Sequence, residues 1–405
     1  YSKYKLSVSG EDYYQALLDT ASNTKYPHIT NPCITKDTWI LTDCGPRQVK
    51  ELIGKSFVAI INNEKYNSTK DGFWSTGIKD VYEIVTDRGQ KIKLTNNHKL
   101  LKEYKRKVKF GGSGNGFNYD RDYVEVKNLK IGDKLVLHNH KGNSWNGEGT
   151  FNEGWLLGEI VGDGGYNPDK YRTYLRFWGF ERESMAQLAI DICKDLFDDL
   201  RSDFDLRSDS VNSTIDVATN KLDRICSNLI EVGNKNFLSK LEQMSSKFIR
   251  GFIRGLFDAD GTVIVNKQKG SSVRLAQSDL PKLEVIQRML ARLGIISTIY
   301  KFRRNEKETL LPNGKGGMSL YNTKAQHELV ITRDNIELFA NIIGFHDLQK
   351  EDKLNSILES RNKKPYQETF LTNIISIEHI GQEEVFDCTI NEVHCFDANG
   401  FVSHN

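Results

Sequence analysis

Leu156 to Gly164 reads Leu-Leu-Gly-Glu-Ile-Val-Gly-Asp-Gly, and Ile253 to Gly261 reads Ile-Arg-Gly-Leu-Phe-Asp-Ala-Asp-Gly. In each stretch two small residues stand four apart, Gly158 with Gly162 and Gly255 with Ala259, so each predicted helix carries one smooth stripe. Two such stripes let two helix backbones approach closely. Both helices end in Asp followed by Gly, and Gly is the expected residue just past a helix C-terminus. The Asp is not expected there, because a carboxylate at the negative end of a helix dipole costs about 0.3–1 kcal/mol. Side-by-side packing would bring Asp163 and Asp260 together, and two divalent ions held there could activate water and stabilise a leaving oxygen in phosphodiester cleavage.

Working outward, helical periodicity runs from about Phe151 to Ser360, in Trp155 to Val161, Ser184 to Leu200, Leu222 to Val232, Phe248 to Phe257, Pro281 to Leu293 and Asn335 to Ile343. Strand-like pieces such as Tyr171 to Trp178 and Glu328 to Ile331 lie between them, which gives an α+β region with a loose internal repeat. On either side the texture is β. Short runs occur at Trp39 to Leu41, Ser56 to Ile61, Val81 to Thr86, Ile92 to Leu94 and Lys134 to Leu137, and again at Ile374 to Ile380, Glu384 to Ile390 and His394 to Val402. The Gly-rich Phe110 to Phe117 reads as a mobile connector. A β module split by an inserted domain is the expected architecture, and residues 1 to 32, with one short helical pattern at Glu11 to Ala21, read as a fragment of something else.

Length and composition agree with several domains. At roughly 150 residues per domain, 405 residues give two to three. Hydrophobic residues at 38% and only 7 prolines exclude a chain that is mainly disordered. No apolar run reaches the ~18 residues of a membrane span and no leader pattern is present, so a cytoplasmic protein is expected. The six cysteines form no C-x-x-C pair, which argues against a disulfide scaffold and a zinc module. Lys plus Arg at 56 against Asp plus Glu at 54 is balanced, so any nucleic-acid site must be local. Residues 261 to 330 supply one, with 12 Lys and Arg against 5 Asp and Glu. Residues 191 to 210, with 7 acids against 3 bases, are expected to face away from it. The basic run Lys102 to Lys109 either extends that surface or is a solvated hairpin.

The two ends of the β module carry a chemical sequence. Cys33 can attack the carbonyl of Pro32 and turn an amide into a thioester. In Thr95-Asn96-Asn97-His98 the imidazole can polarise that bond and protonate the departing amine. The side-chain amide of Asn405 can then attack its own carbonyl, with His404 as proton donor. Taken singly, each also fits a bland reading: a buried cysteine, a capping threonine with a surface histidine, or a frayed terminus. Together they resemble an intein, a self-splicing protein of the Hedgehog/intein fold. Val385-Phe386-Asp387-Cys388-Thr389 and His394-Cys395-Phe396 are similar to the last two motif blocks of that family, and the resemblance implies that Asp387 and His394 assist thioester transfer and Asn cyclisation. Cys395 stands where the family often has Asn. Pro32 is a constrained acyl donor, so slow cleavage is expected, and ligation needs a nucleophile after Asn405. Asn31-Pro32-Cys33 resembles the segment around the catalytic cysteine of ribonucleotide reductases, which implies a reductase host with residues 1–32 as N-extein.

The paired Asp-Gly helices resemble a LAGLIDADG homing endonuclease with both motifs in one chain; the first copy departs at Glu159 and Val161. That resemblance implies Mg²⁺-dependent cleavage of double-stranded DNA at an intein-free host allele, with Asp163 and Asp260 as metal ligands. It also implies a lysine near the catalytic centre, assigned to Lys235, with Lys350 or Lys353 as its counterpart in the second half. Splicing itself would need no cofactor. The expected fold is an all-β Hedgehog/intein module, 33–138 and 367–405, split by an α+β LAGLIDADG domain, 139–366, with a pseudo-twofold repeat. The expected partners are DNA and the N- and C-exteins, and a monomer is expected. Two further readings remain: a splicing element whose insert binds DNA without cutting it, and a DNA-binding regulator without processing activity.

Overall fold

The computed structural model describes residues 31–109, 115–206, 213–266, 268, 270–312, 318–360 and 365–404. The helical pattern at Glu11 to Ala21 and the terminal Asn405 lie outside these residues. Among the described residues, no helix is long and apolar enough to cross a membrane.

The N-terminal and C-terminal parts of the chain share one 12-stranded sheet. Its spine is a ribbon of two long antiparallel strands, Glu64–Thr86 and Leu371–Ile390. The strand Ile34–Thr35 lies between Leu371–Ile390 and Lys91–Leu94, so the start of the β module is clasped by its end. Within residues 83–86, Ile84 and Thr86 are buried while Glu83 and Val85 are only partly covered, the alternation expected of a strand with one packed face, and Val81 is buried on the other face with Cys33 and Val385. Leu371 pairs directly with Val136. The chain therefore leaves the sheet and returns to it on adjacent rungs, and everything between is an insertion.

The insertion is α+β. Its two motif helices are Phe151–Gly162 and Ser246–Asp260. The first begins at a capping box, in which the Thr150 hydroxyl accepts from the Glu153 amide and the Glu153 carboxylate accepts from the Thr150 amide at 2.7 Å. Ser245 starts the second by accepting from the Phe248 amide at 3.1 Å. The helices meet along the small-residue stripes. A Cβ on Gly158 would stand 2.3 Å from the Phe252 carbonyl oxygen, and one on Gly255 would stand 2.2 Å from that of Trp155. Gly154 and Gly251 extend the same seam, with 2.1 and 2.0 Å to the opposing carbonyls. No side chain larger than hydrogen fits at these crossings.

Around this pair the two halves are unequal. The first carries a two-stranded sheet, Tyr174–Trp178 with Thr214–Ala218, and the second a four-stranded sheet built from Gly261–Ile264, Ser272–Gln277, Gln326–Ile331 and Ser297–Arg304. The insert docks on the β module through polar groups. Arg292, held within the insert with Arg288 by Glu242 at 2.6 Å each, lies 5.1 Å over the Trp39 ring, and Gln287 donates to the Arg88 carbonyl at 2.8 Å.

Four local expectations need correcting. Leu222 to Val232 is helical only at Asp223–Cys226, because Asn228 takes a left-handed φ of 63° and turns the chain; the periodicity came from Leu229 and Ile230, which are buried through the turn. Ile374 to Ile380 and Glu384 to Ile390 are one strand, bent between His379 and Gly381 rather than broken. Residues 115–117 of the supposed connector are the start of a strand, Asn115–Glu125, that pairs with Lys99–Lys109 along its whole length. A helix at Leu348–Glu359, started by Asp347 accepting from the Lys350 amide at 3.0 Å, gave no strong apolar period.

The glycine seam makes a direct prediction. Gly158→Ala and Gly255→Ala should each destabilise the protein by about 1–3 kcal/mol through overpacking, read as a lower denaturant midpoint. An unchanged midpoint would mean that the helices are farther apart than described.

Candidate functional site

The first cluster forms where strands from both ends of the β module converge on Cys33. This residue is fully buried. Its amide donates to the Thr95 hydroxyl at 3.0 Å, and its carbonyl accepts from the Thr95 amide at 3.0 Å, so Thr95 holds the backbone on both sides of the side chain. The thiol bonds to the Asn31 carbonyl and the Thr76 hydroxyl, each at 2.9 Å, and the Lys79 ammonium stands 3.4 Å from the sulfur. Burial pushes the thiol up from its ordinary value, while Thr76 and Lys79 pull it back down. Asp387, on the strand that flanks Cys33, is itself pushed up to about 6 by burial. Thr76 and Lys79 were not anticipated from the sequence. Nothing in their spacing marks them; they reach the thiol only through the pairing of Glu64–Thr86 with Leu371–Ile390.

His98 is buried beside this cluster. Its amide donates to the Thr95 carbonyl at 3.1 Å, and its Nε2 lies 2.5 Å from the Ser403 hydroxyl. Burial pushes the ring down to about 3, with the nearby His404 adding to the effect and the Pro32 carbonyl opposing it. Nδ1 nonetheless makes no full hydrogen bond. His404 is half-buried, with its ring edge-on to Tyr123 at 4.8 Å. Cys33, Thr95, His98 and Asp387 are thus brought together with the last described strand. His394 is not. It is exposed in the turn before Cys395–Ala398 with a φ of 49°, and among the described residues it bonds to none of the other candidate side chains. Cys395 is buried.

The second cluster lies at the ends of the motif helices. Asp163 accepts from the Trp178 indole at 2.7 Å and Asp260 from the Gln277 amide at 2.6 Å, each partner coming from the sheet of the same half. Asp260 is pushed up by burial first and by the Asp163 charge second, as two neighbouring carboxylates require. The cationic compensation is lysine. Lys235 donates to the carbonyls of Ile160, Gly162 and Gly164 at 3.0, 3.3 and 2.8 Å, closing the C-terminus of the first motif helix. Lys350 does the same for the second, through the carbonyls of Phe257, Asp258 and Ala259. Of the two lysines left open by the sequence, Lys350 is therefore the geometric match to Lys235. Burial and Lys282 hold Lys235 below its ordinary value.

Glu159 and Asp258 sit behind these groups. Asp258 accepts from the Trp155 indole and from the amides of His346 and Asp347. Glu159 is buried with one carboxyl oxygen unpartnered, and burial raises it well above the ordinary range, which favours its neutral form. Together with Asp163 and Lys350 they line a cavity of about 270 Å³. Among the described residues no group of three or more His, Cys, Asp or Glu is arranged to hold a metal. Asp163 and Asp260 offer two hard oxygen donors, which suits Mg²⁺ when phosphate and water complete its shell.

Cations are concentrated in the second half. Tyr300, Lys301, Phe302, Arg303 and Arg304 are all exposed at the end of Ser297–Arg304. In the first half Arg176 is spent on Asp216, in a bidentate pair at 2.8 Å. In the basic run Lys102 to Lys109, Lys102 pairs with Asp133 and Arg106 with Asp120, while Lys105 lies over the Phe117 ring.

Residues 247–344 match the LAGLIDADG-like domain family. Over 414 residues the chain is 28% identical to the ribonucleoside-diphosphate reductase NrdEB subunit alpha of Bacillus subtilis, covering 93% of this chain and 36% of that protein. It is 23% identical over 464 residues to the replicative DNA helicase DnaB of Nostoc sp., covering 92% of this chain and 49% of that one. The chain spans between a third and a half of the length of these relatives. Among solved structures it is similar to variants of the homing endonuclease I-DmoI, with a TM-score of 0.33, 19% identity and coverage of 48% of this chain and 92% of that one. It is also similar to a mutant of the Ssp DnaB mini-intein, with a TM-score of 0.28, 12% identity and coverage of 92% and 98%. The family match, the reductase relatives and the split β module fit an intein with a LAGLIDADG insert.

A buried neutral histidine makes stability depend on pH. His138, outside both clusters, is pushed down to about 4, mainly by burial. The unfolded chain takes up its proton near pH 6.5 and the native state does not, so stability is held above pH 6.5 and lost as the pH falls toward 4. His138→Asn should flatten the fall in unfolding free energy over that window by up to about 3 kcal/mol; an unchanged slope would contradict the burial.

Proposed function

We propose that the chain is an autocatalytic splicing element that also cuts double-stranded DNA at an intein-free copy of its host gene. One observation carries the splicing half: the Cys33 thiol from one stretch, and the Thr95 backbone clamp and His98 imidazole from another, converge on the Pro32–Cys33 junction. In this reading the Cys33 sulfur attacks the Pro32 carbonyl carbon, a carbon–sulfur bond replaces the carbon–nitrogen bond, and the Cys33 nitrogen leaves as an amine that takes up a proton. Thr95 holds the departing nitrogen, His98 faces the junction, and Lys79 favours the thiolate. Asn405 then cyclises and cuts the chain after itself, with His404 as proton donor; this last role rests on the sequence. The residues N-terminal to Cys33 and those after Asn405 are the exteins, and the reductase relatives support a ribonucleotide reductase host. The splicing module is assigned to 33–138 and 367–405, and the endonuclease to 139–366.

For the insert, the paired carboxylates at the glycine seam support phosphodiester cleavage. Divalent ions, when bound by Asp163 and Asp260 with phosphate oxygens, would supply an activated water and stabilise the leaving oxygen. Lys235 and Lys350 neutralise the helix ends so that the carboxylates can approach each other, and the exposed cations near Arg303 and Arg304 contact phosphates. A second reading, binding without cleavage, is favoured by one feature: both carboxylates are already engaged, by Trp178 and Gln277.

Thiol treatment of the purified chain should release residues 1–32. Cys33→Ala should abolish release, and His98→Ala should slow it by about 10²-fold or more. Release from the alanine variant of Cys33 at the wild-type rate would exclude the thioester. On plasmid carrying the joined host sequence, Mg²⁺ should support double-strand cleavage, and Asp163→Asn and Asp260→Asn should each abolish it. Binding in Ca²⁺ should persist in both variants and weaken steeply with salt. Wild-type protein that binds but leaves the plasmid intact under every divalent ion would establish the second reading.

A further inference from the structure

His98 can serve the Pro32–Cys33 junction only if the correct ring nitrogen carries the proton, and the structure shows what decides this. Nε2 is 2.5 Å from the Ser403 hydroxyl, and both side chains are buried, His98 at 1% and Ser403 at 0% exposure. With Nε2 taken, the nitrogen left for the junction is Nδ1, which has no full partner. The Pro32 carbonyl, an acceptor only, interacts with the ring, and with Nε2 placed at Ser403 we assign that contact to the Nδ1 side. If Nδ1 were bare, two lone pairs would oppose each other in a buried site. If Nδ1 carries the proton, Nε2 must accept, and the donor placed at it is the Ser403 hydroxyl, whose rotor is free to supply a proton.

We propose that Ser403 is a positioning residue that fixes His98 as the Nδ1–H tautomer and so couples the N-terminal junction to the last strand of the chain. The assignment rests on the splicing reading for its function but not for its geometry. Ser403 is held rigidly, since its strand pairs on one side through Ser403 with Phe396 and on the other through Ser403 with Leu100. The Phe396 ring also packs edge-on to His98, 6.4 Å between centres, and limits its rotation. His98 is therefore in its working tautomer only while Phe401–His404 is docked between Cys395–Ala398 and Lys99–Lys109. The first step at Cys33 then waits on the correct placement of the residues next to Asn405, which orders the two ends of the reaction without any moving part.

The test uses the full chain labelled with ¹⁵N at histidine, with His98→Gln identifying the signal. At pH 7 the wild-type His98 should show a protonated Nδ1 and a bare Nε2. Ser403→Ala should give a mixed or Nε2-protonated ring and slow thiol-induced release of residues 1–32 by about tenfold or more. Ser403→Thr, which keeps the hydroxyl, should restore both. An Nε2–H signal in the wild type, or a Ser403→Ala protein that keeps the Nδ1–H ring and cleaves within about twofold of wild type, well below the usual worth of a positioned proton donor, overturns the assignment. If Ser403→Ala does not fold, the wild-type spectrum decides alone. Should the wild type release nothing with thiol, the splicing reading fails, while the tautomer is still decided by the spectrum.

Discussion

The antiparallel ribbon of Glu64–Thr86 with Leu371–Ile390 is the contact on which everything else hangs. It joins segments separated by the whole insert, and it presents Thr76 and Lys79 to the Cys33 thiol while holding Asp387 beside them. Closing so long a loop costs little more than closing a short one, because the entropy of closure grows only as the logarithm of length. The ladder pairing of Leu371 with Val136 keeps the exit and entry points adjacent, so the sheet is not strained by what lies between them. A large insert is thereby compatible with a closed β module, although the two share part of their cores, Leu41 and Ile60 packing with the insert and Ile296 with the β module.

Within the insert the governing constraint is the glycine seam. Close approach of Phe151–Gly162 and Ser246–Asp260 puts two helix C-termini, and the two carboxylates that follow, side by side. Dipoles and charges of the same sign then repel. Lys235 and Lys350 answer that repulsion, each threading its ammonium among three terminal carbonyls of one helix. The cost of the arrangement is visible in Asp258 and Glu159, which burial drives toward the neutral form. Selection for stability alone would not retain four carboxyl groups at such a place, which is why the cluster reads as functional.

The two clusters use opposite electrostatic strategies. At Cys33 the Lys79 cation offsets a buried thiol, and the neighbouring imidazole is kept neutral by burial. At the helix ends several cations offset several anions, and the field is left open toward the exposed basic strand Ser297–Arg304. Acyl transfer within the chain needs a dry site with one placed proton, whereas a polyanionic partner needs an accessible site whose charge is completed on binding.

The sequence alone determined the split β module, the α+β insert with its small-residue helices, and the residue types at Cys33, His98, Asp163 and Asp260, because these leave periodicities or short motifs in the chain. It could also narrow the second basic residue to Lys350 or Lys353, but nothing in the spacing chooses between them, and only the placement of the start of Leu348–Glu359 at the end of the second motif helix put Lys350 on its terminal carbonyls. Thr76, Lys79 and Ser403 were invisible for a related reason. Each reaches its target across a strand pairing, and register carries no signature in the spacing of residues along one strand. The bulged Leu371–Ile390 strand and the turn at Asn228 were misread because backbone bends of this kind are set by partners on other segments. What the chain encodes locally is which groups exist and which elements bear them; which groups touch is decided by long-range pairing, and with it the protonation of His98 and the engagement of both catalytic candidates at the helix ends.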